Sequence, residues 1–213
     1  MTVAGDAEAC VSPLFHFSED PAIRVFVPRP VRVAIDRGPD RAWLNDPLVW
    51  AIDAVHSRLY LFPRDCPRIV IWPTGETSPE DRRTWFGDVT GRAVAYVEEA
   101  WMDRIRSGTL HRYGMPPVTF EAIGEPGAWV SRRPVVPSGC DTLKDLPGAM
   151  AAEGLELRAL PRLTPLAPVW RSTLQASGLR LRNAQDWVTP AGGPPRPYAV
   201  SDTEPAPQRQ RRL

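Results

Sequence analysis

The chain has 213 residues, of which 43% are hydrophobic, and its formal net charge at pH 7 is +1. This length favours one domain with one sizeable core over two full domains. The near-zero charge excludes a global field that would attract nucleic acid. No apolar run approaches the roughly 20 residues that cross a bilayer, so we expect no membrane partner.

The three cysteines are widely spaced and form neither a disulfide framework nor a zinc-binding pattern. The N-terminus has neither the basic start nor the apolar segment of a signal peptide. These features predict a cytoplasmic protein without a metal, and they leave its oligomeric state open.

Three segments differ in composition. Residues 1–12 are small and polar and predict a flexible leader. Residues 190–213 are rich in proline and arginine and predict a disordered tail, because so few apolar groups cannot repay the entropy of ordering. Residues 13–189 are expected to form a single compact α+β domain with a mixed, mainly antiparallel β core and a few short helices.

Short β-branched or aromatic runs, each ended by a turn signal, predict the strands. In chain order we expect a short strand that ends near His16 and Ser18, then strands at residues 48–52, 68–72, 92–97, 110–113, 128–131 and 155–160. Apolar residues at helical spacing predict short helices at residues 53–62, 98–106, 141–153 and 164–177.

Reactive side chains gather between the two buried strands at residues 48–52 and 68–72. They are Asp53, His56, Tyr60, Arg64, Asp65 and Cys66. The spacing places His56 and Tyr60 on the same side of the predicted helix. No phosphate-binding glycine motif, zinc-protease motif or nucleophile elbow occurs in the chain, so the cluster does not define one reaction.

The order of three segments resembles the ADP-ribosyltransferase-like fold. They are His16-Phe17-Ser18, Trp50-Ala51-Ile52-Asp53 followed by His56 and Tyr60, and Trp129-Val130-Ser131. The resemblance implies NAD as cofactor, with His16 at the ribose and Tyr60 or Trp50 stacked on nicotinamide. It implies that Ser131 lies near the third motif, where the superfamily has a glutamate. Ala128 occupies that place here, and Glu125 lies three residues upstream.

A second resemblance covers residues 14–183. The strings LFHFSED, VWAID, FPRDCPR, VSRRPVVP and LRLRNA resemble an uncharacterised bacterial family. This resemblance implies no activity.

Three functions remain open. The first is a nucleotide-using enzyme, with NAD-dependent ADP-ribosyl transfer favoured by the resemblance and a small-molecule or nucleotide ligand as partner. His16, Ser18 and an aromatic side chain would hold the cofactor, and Arg29 or Arg64 would pair with its pyrophosphate.

The second is a thiol enzyme, in which Cys66 is the nucleophile and the flanking arginines lower its pKa. His16 or His56 would be the base, with Asp65 or Asp53 orienting it. The third is a non-enzymatic module that binds nucleic acid or an acidic partner, which is possible but not favoured. Its patch would comprise Arg64, Arg68, Arg132, Arg133, Arg180 and Arg182.

Overall fold

The computed structural model describes residues 12–34 and 37–188. The predicted leader, except for its last residue, and the whole predicted tail lie outside these ranges. Within them, no helix is long and apolar enough to span a membrane.

Ten strands are formed in the described residues, most of them from short runs of β-branched and aromatic residues. They are β1 (Leu14–Ser18), β2 (Val49–Asp53), β3 (Arg68–Trp72), β4 (Ala93–Glu98), β5 (Leu110–Met115), β6 (Glu121–Ala122), β7 (Ala128–Ser131), β8 (Gly139–Leu143), β9 (Leu155–Leu160) and β10 (Gln175–Leu179).

Helical segments are short, as the frequent prolines lead us to expect. The α-helices are α1 (Pro79–Asp81), α2 (Met102–Ser107) and α3 (Leu146–Ala152), and a π-helical turn follows α1 at Arg82–Phe86. 3-10 segments span Pro39–Asn45, Ser57–Tyr60, Glu99–Trp101, Pro117–Thr119, Thr164–Arg171 and Leu181–Asn183.

The strands form two sheets. The larger has the order β6-β7-β2-β1-β5-β8, and the smaller has the order β10-β3-β4-β9. Neighbouring strands are antiparallel, except that β4 and β9 run parallel. The structure therefore confirms the predicted single compact α+β domain with a mainly antiparallel core.

Alternation along the strands gives both sheets two apolar faces. In β3, Val70 belongs to a cluster that also takes in side chains of α2, α3 and β5, whereas Ile69 and Ile71 belong to a second cluster on the opposite face. A third cluster, which includes Leu14 and Tyr113, covers the other face of the larger sheet. The segment between β2 and β3 contributes Leu59, Leu61 and Phe62 to the first cluster, so core packing fixes its course.

Three helix predictions are wrong in extent. Residues 139–143 form β8, and α3 begins only at Leu146, where the Asp145 side chain accepts a hydrogen bond from the Gly148 backbone N–H. The helix predicted at residues 164–177 is a 3-10 segment followed by β10, since Pro168 interrupts the helical hydrogen bonds. Of the helix predicted at residues 53–62, only Ser57–Tyr60 is helical.

Candidate functional site

The two central strands of the larger sheet, β1 and β2, pair over only part of their length. β1 pairs with β5 through all five of its residues but with β2 only at Leu14–Asp53 and Phe15–Ile52. Beyond these pairs the His16 side chain replaces the backbone ladder, and its Nδ1 lies 2.8 Å from the carbonyl oxygen of Trp50. Because a carbonyl oxygen can only accept, His16 Nδ1 is the donor.

His16 is held in its neutral form by its surroundings. Its ring packs against Phe26 with centroids 4.7 Å apart. Burial lowers the pKa of His16, the hydrogen bond to Trp50 acts in the opposite sense, and the positive charge of Arg64 lowers the pKa further. With Nδ1 donating to β2, Nε2 of the neutral ring carries a lone pair and can accept a hydrogen bond.

An aromatic pair lies next to this junction. Phe17 follows His16 and so points to the opposite face of the sheet, where its ring stacks on that of Tyr60 at 6.4 Å with planes 14° apart. Tyr60 is 37% exposed. Burial raises the pKa of Tyr60, and the positive charges of Arg68 and Arg180 oppose the rise. The pair offers a partly accessible aromatic surface within a positive field.

Arginine side chains converge on the same region. Arg180 donates from Nε to the carbonyl oxygen of Arg64 at 3.1 Å, and the side chain of Asn183 donates to the carbonyl oxygen of Asp65 at 2.7 Å. Partial burial, followed by the charges of Arg182 and Arg64, lowers the pKa of Arg180. These charges repel one another, and the Asp65 carboxylate offsets part of the effect on Arg180. A bound anion would relieve the remaining repulsion.

The backbone of Arg180 adopts the left-handed conformation, with φ 57° and ψ 23°. This region is unfavourable for a side chain that carries a Cβ. The sequence suggests an ordinary solvent-facing arginine in an alternating segment, and no local signal reveals that Arg180 is tied to the loop at Arg64.

Arg68 belongs to the core and not to a surface patch. It is 4% exposed, and its guanidinium donates to the carbonyl oxygens of Leu59 at 2.9 Å and Cys66 at 3.0 Å. Arg132 lies over the Trp43 ring and pairs with Glu121. The six-arginine patch predicted from the sequence is therefore wrong as a unit, because burial removes Arg68 from it.

Asp53 and His56 form a hydrogen-bonded pair just after β2. One carboxylate oxygen of Asp53 lies 2.8 Å from the His56 backbone nitrogen and 2.8 Å from its Nδ1. Burial alone would raise the pKa of Asp53, but the hydrogen bonds and charge of His56, with a contribution from Arg58, lower it overall. Asp53 is thus ionised at neutral pH.

Glu125 brings a second carboxylate to the region. It pairs with Arg41 at 3.2 Å and with Arg37 at 3.9 Å, and the Arg37 guanidinium lies 6.0 Å from the centre of the Trp50 ring. Its negative charge contributes to the raised pKa of Tyr60. The sequence indicates Glu125 only by its position upstream of Ala128, and folding brings it within electrostatic reach of Tyr60.

Cys66 is buried and its pKa is raised, contrary to the sequence prediction of a lowered pKa. It is 0% exposed, and its thiol lies 3.6 Å from the carbonyl oxygen of Pro67. Burial raises the pKa of Cys66 to about 12 and outweighs the opposing charges of Arg68 and Arg104. The flanking arginines therefore do not generate a thiolate, because loss of water around the sulfur has the larger effect.

Three further residues predicted to bind the cofactor have local structural contacts. Ser18 is 5% exposed and accepts a hydrogen bond from the Asp20 backbone. Ser131 is 0% exposed and donates to the Thr119 hydroxyl at 2.8 Å. Arg29 pairs through its backbone with Leu48, at the opposite end of β2 from Asp53.

Two surface concavities lie away from the aromatic pair. One, of about 260 Å³, is lined by residues that include Ile23, Tyr113 and Cys140. The other, of about 370 Å³, lies beside Phe120 and Arg132. Neither is lined by Phe17 or Tyr60. No group of three potential metal ligands occurs within residues 12–34 and 37–188.

The fold and the site define a two-sheet α+β protein with an aromatic, arginine-rich site where two central strands stop pairing. The chain belongs to DUF6886, a family of unknown function whose sequence model matches residues 15–184. This match confirms the resemblance to an uncharacterised family. No curated protein matches the chain, and no solved structure does, so the ADP-ribosyltransferase-like architecture is not supported by comparison.

Proposed function

We propose that this protein is a nucleotide-using enzyme that catalyses NAD-dependent ADP-ribosyl transfer. The observation that carries the proposal is the interrupted pairing of β1 and β2. It leaves His16 near the positive charge of Arg64 and, on the opposite face of the sheet, the Phe17–Tyr60 pair near the charges of Arg68 and Arg180. These chemical types match the parts of a dinucleotide: a flat base, a ribose and a doubly charged pyrophosphate.

The base is assigned to the aromatic pair. Tyr60 keeps part of its surface exposed, the near-parallel Phe17 ring lies beside it with centroids 6.4 Å apart, and the Arg68 guanidinium lies 5.8 Å from its ring centre. Stacking of a base on such a ring contributes about 1–3 kcal/mol, enough to orient nicotinamide or adenine. Because Phe17 and Arg68 lie next to the Tyr60 ring, little side-chain entropy would be lost when a base stacks on it.

The pyrophosphate is assigned to Arg64 and Arg180. Both residues are exposed. The hydrogen bond from the Arg180 side chain to the Arg64 backbone carbonyl holds the two chain segments together. Guanidinium groups bind phosphate oxygens in pairs, with more directional hydrogen bonds than an ammonium group makes. His16, neutral and with a free lone pair, would accept a hydrogen bond from a ribose hydroxyl.

The transfer reaction requires a carboxylate near the ribose to stabilise positive charge as the glycosidic bond breaks. Glu125 supplies a carboxylate within electrostatic reach of Tyr60, and Arg37 and Arg41 orient it. Buried Cys66 leaves the competing thiol mechanism without an accessible nucleophile.

Two measurements test the proposal: calorimetric binding of NAD and release of nicotinamide followed by chromatography. We expect wild-type protein to do both. Tyr60→Ala should weaken NAD binding at least about tenfold, whereas Tyr60→Phe should bind normally because the ring is kept. Arg180→Gln should weaken NAD binding, and Arg106→Gln on α2, whose side chain is 65% exposed, is the matched control.

Glu125→Gln should retain NAD binding and lose nicotinamide release. A wild-type protein that neither binds NAD nor releases nicotinamide would overturn the proposal. Equal binding by wild type and Tyr60→Ala would remove the assigned site.

A further inference from the structure

The Asp53–His56 pair has the arrangement of an oriented proton acceptor. Asp53 has a lowered pKa and is ionised near neutral pH, so its carboxylate can only accept hydrogen bonds. The proton on the His56 ring must then be on Nδ1, which lies 2.8 Å from Asp53 Oδ1. This leaves Nε2 of the neutral ring with a free lone pair.

The position of the ring is fixed on several sides. Gly127, with φ +69°, lies so close that a Cβ on it would be 2.5 Å from His56 Nδ1. The ring of Trp72 meets the His56 ring edge to face, with centroids 6.4 Å apart. The Asp53 backbone N–H donates to the carbonyl oxygen of Gly127 at 2.8 Å, which joins the same turn to the end of β2.

The pair is neither fully buried nor fully exposed. The His56 side chain is 20% accessible and that of Asp53 is 17% accessible. Asp53 and Gly127 lie on the Nδ1 side of the ring, so Nε2 is the ring nitrogen that neither of them contacts. The backbone N–H of His56 already donates to Asp53 and closes the turn. The hydrogen bond from the His56 ring is therefore not needed to hold the turn.

The turn that supports His56 also borders the proposed nucleotide site. Glu125, two residues before Gly127, pairs with Arg37, and Arg37 lies over Trp50, whose carbonyl oxygen holds His16. Asp53 and Trp50 are three residues apart on β2, a separation of about 10 Å along the strand. The pair therefore lies about 10 Å along β2 from the carbonyl group that holds His16, the residue assigned to the ribose.

We propose that His56 is the general base of the transfer and accepts the proton of the attacking group, with Asp53 as its positioning residue. This inference rests on the proposed function and names its acceptor class: a hydroxyl group or water, which must lose a proton as it attacks. The acceptor oxygen forms the new bond to ribose C1′, its proton moves to His56 Nε2, and nicotinamide leaves with the electron pair of the broken C1′–N bond.

The experiment compares wild type, His56→Gln, Asp53→Asn and, as a matched histidine control on β5, His111→Gln. For each we measure the Kd for NAD, the rate of nicotinamide release between pH 5 and 9, and the ¹⁵N chemical shifts of the histidines. We expect His56→Gln to keep the Kd within twofold and to lose about 100-fold or more in kcat.

His56→Gln should show this loss of kcat throughout the pH range. In Asp53→Asn the His56 shifts should no longer report a single Nδ1–H tautomer, and kcat should fall by a smaller factor. His111→Gln should keep the wild-type profile.

The outcomes separate the two proposals. No binding and no nicotinamide release by wild type would overturn both. Release by wild type with an unchanged rate in His56→Gln would overturn the base assignment alone, and so would a folded His56→Gln variant that has lost NAD binding.

Discussion

The guanidinium of Arg68 lies 4.9 Å from the centre of the Phe62 ring, with both side chains inside the core. Burial lowers the pKa of Arg68 to about 10, so it remains charged at neutral pH. Its two hydrogen bonds join the carbonyl oxygens of Leu59 and Cys66. Arg68 thus closes the loop that carries Tyr60 and Arg64.

Replacing Arg68 should therefore destabilise the fold. Arg68→Met leaves two buried carbonyl oxygens without their donor, and we expect the free energy of unfolding to fall by about 2–4 kcal/mol. Urea denaturation measures the change. Arg106→Met, at a largely exposed side chain, should change it by less than about 0.5 kcal/mol. A stable Arg68→Met variant would show that the loop is held by apolar packing alone.

Thiol reactivity should differ sharply between the two cysteines of the described region. Cys140 is exposed on β8, whereas Cys66 is buried and its pKa is raised to about 12. At pH 8, iodoacetamide should label Cys140 rapidly and Cys66 only after unfolding, as peptide mass spectrometry would show. Rapid native labelling of Cys66 would contradict the buried environment.

The lowered pKa of His16 makes stability depend on pH. The unfolded chain takes up this proton as the pH falls below about 6.5, while the folded protein resists it. The stabilising contribution is present above that pH and is lost on acidification, with a slope of at most about 1.4 kcal/mol per pH unit. Asp53 contributes no pH dependence of stability in this range, because its pKa is lowered from 3.8 and its carboxylate binds a proton only at lower pH.

Denaturation at pH 7.5 and pH 5 measures this effect. Between the two pH values, His16→Gln should lose less free energy of unfolding than wild type. Arg64→Gln should lose an intermediate amount, because the charge of Arg64 is one cause of the lowered His16 pKa. Identical pH dependence in wild type and His16→Gln would refute the assignment.

The left-handed backbone of Arg180 suggests that stability and ligand binding are opposed at this position. Glycine adopts this conformation without the cost of about 1 kcal/mol or more that a Cβ brings, but it loses the bond to Arg64. We expect the free energy of unfolding of Arg180→Gly to lie within about 1 kcal/mol of the wild-type value. Pyrophosphate should raise the melting temperature of wild type and leave that of Arg180→Gly unchanged. Arg171→Gly, at an exposed position whose backbone is not left-handed, serves as the control for flexibility. Pyrophosphate stabilisation that survives in Arg180→Gly would remove Arg180 from the anion site.

Two glycines of one turn separate backbone strain from side-chain crowding. Gly124 and Gly127 both have positive φ, near +70°, but a Cβ at Gly124 would meet nothing within 4 Å, whereas one at Gly127 would overlap the His56 ring. Gly124→Ala should cost about 1 kcal/mol. Gly127→Ala should cost clearly more and should displace His56, visible as a changed histidine NMR shift. Equal effects of the two substitutions would mean that the His56 ring moves aside freely.

Several strands could be predicted from the sequence because hydrophobic alternation is a local property. The predicted strands at residues 68–72, 128–131 and 155–160 coincide with β3, β7 and β9. Helix boundaries were harder to predict. The helix expected at residues 141–153 begins only after its capping residue Asp145, and residues 139–143 are in a strand because they pair with β5. Pairing with a distant strand overrides local helix signals.

The residue types of the candidate site were also visible in the sequence, since Asp53, His56, Tyr60 and Arg64 lie in one short segment. Tertiary structure alone brought Arg180 and Glu125 to that segment from distant parts of the chain. It also decided that burial raises the pKa of Cys66 to about 12 and that Arg68 lies in the core. Charge neighbours along the chain predict a pKa only while water surrounds the group, and the loss of that water depends on which sheets and loops pack over it.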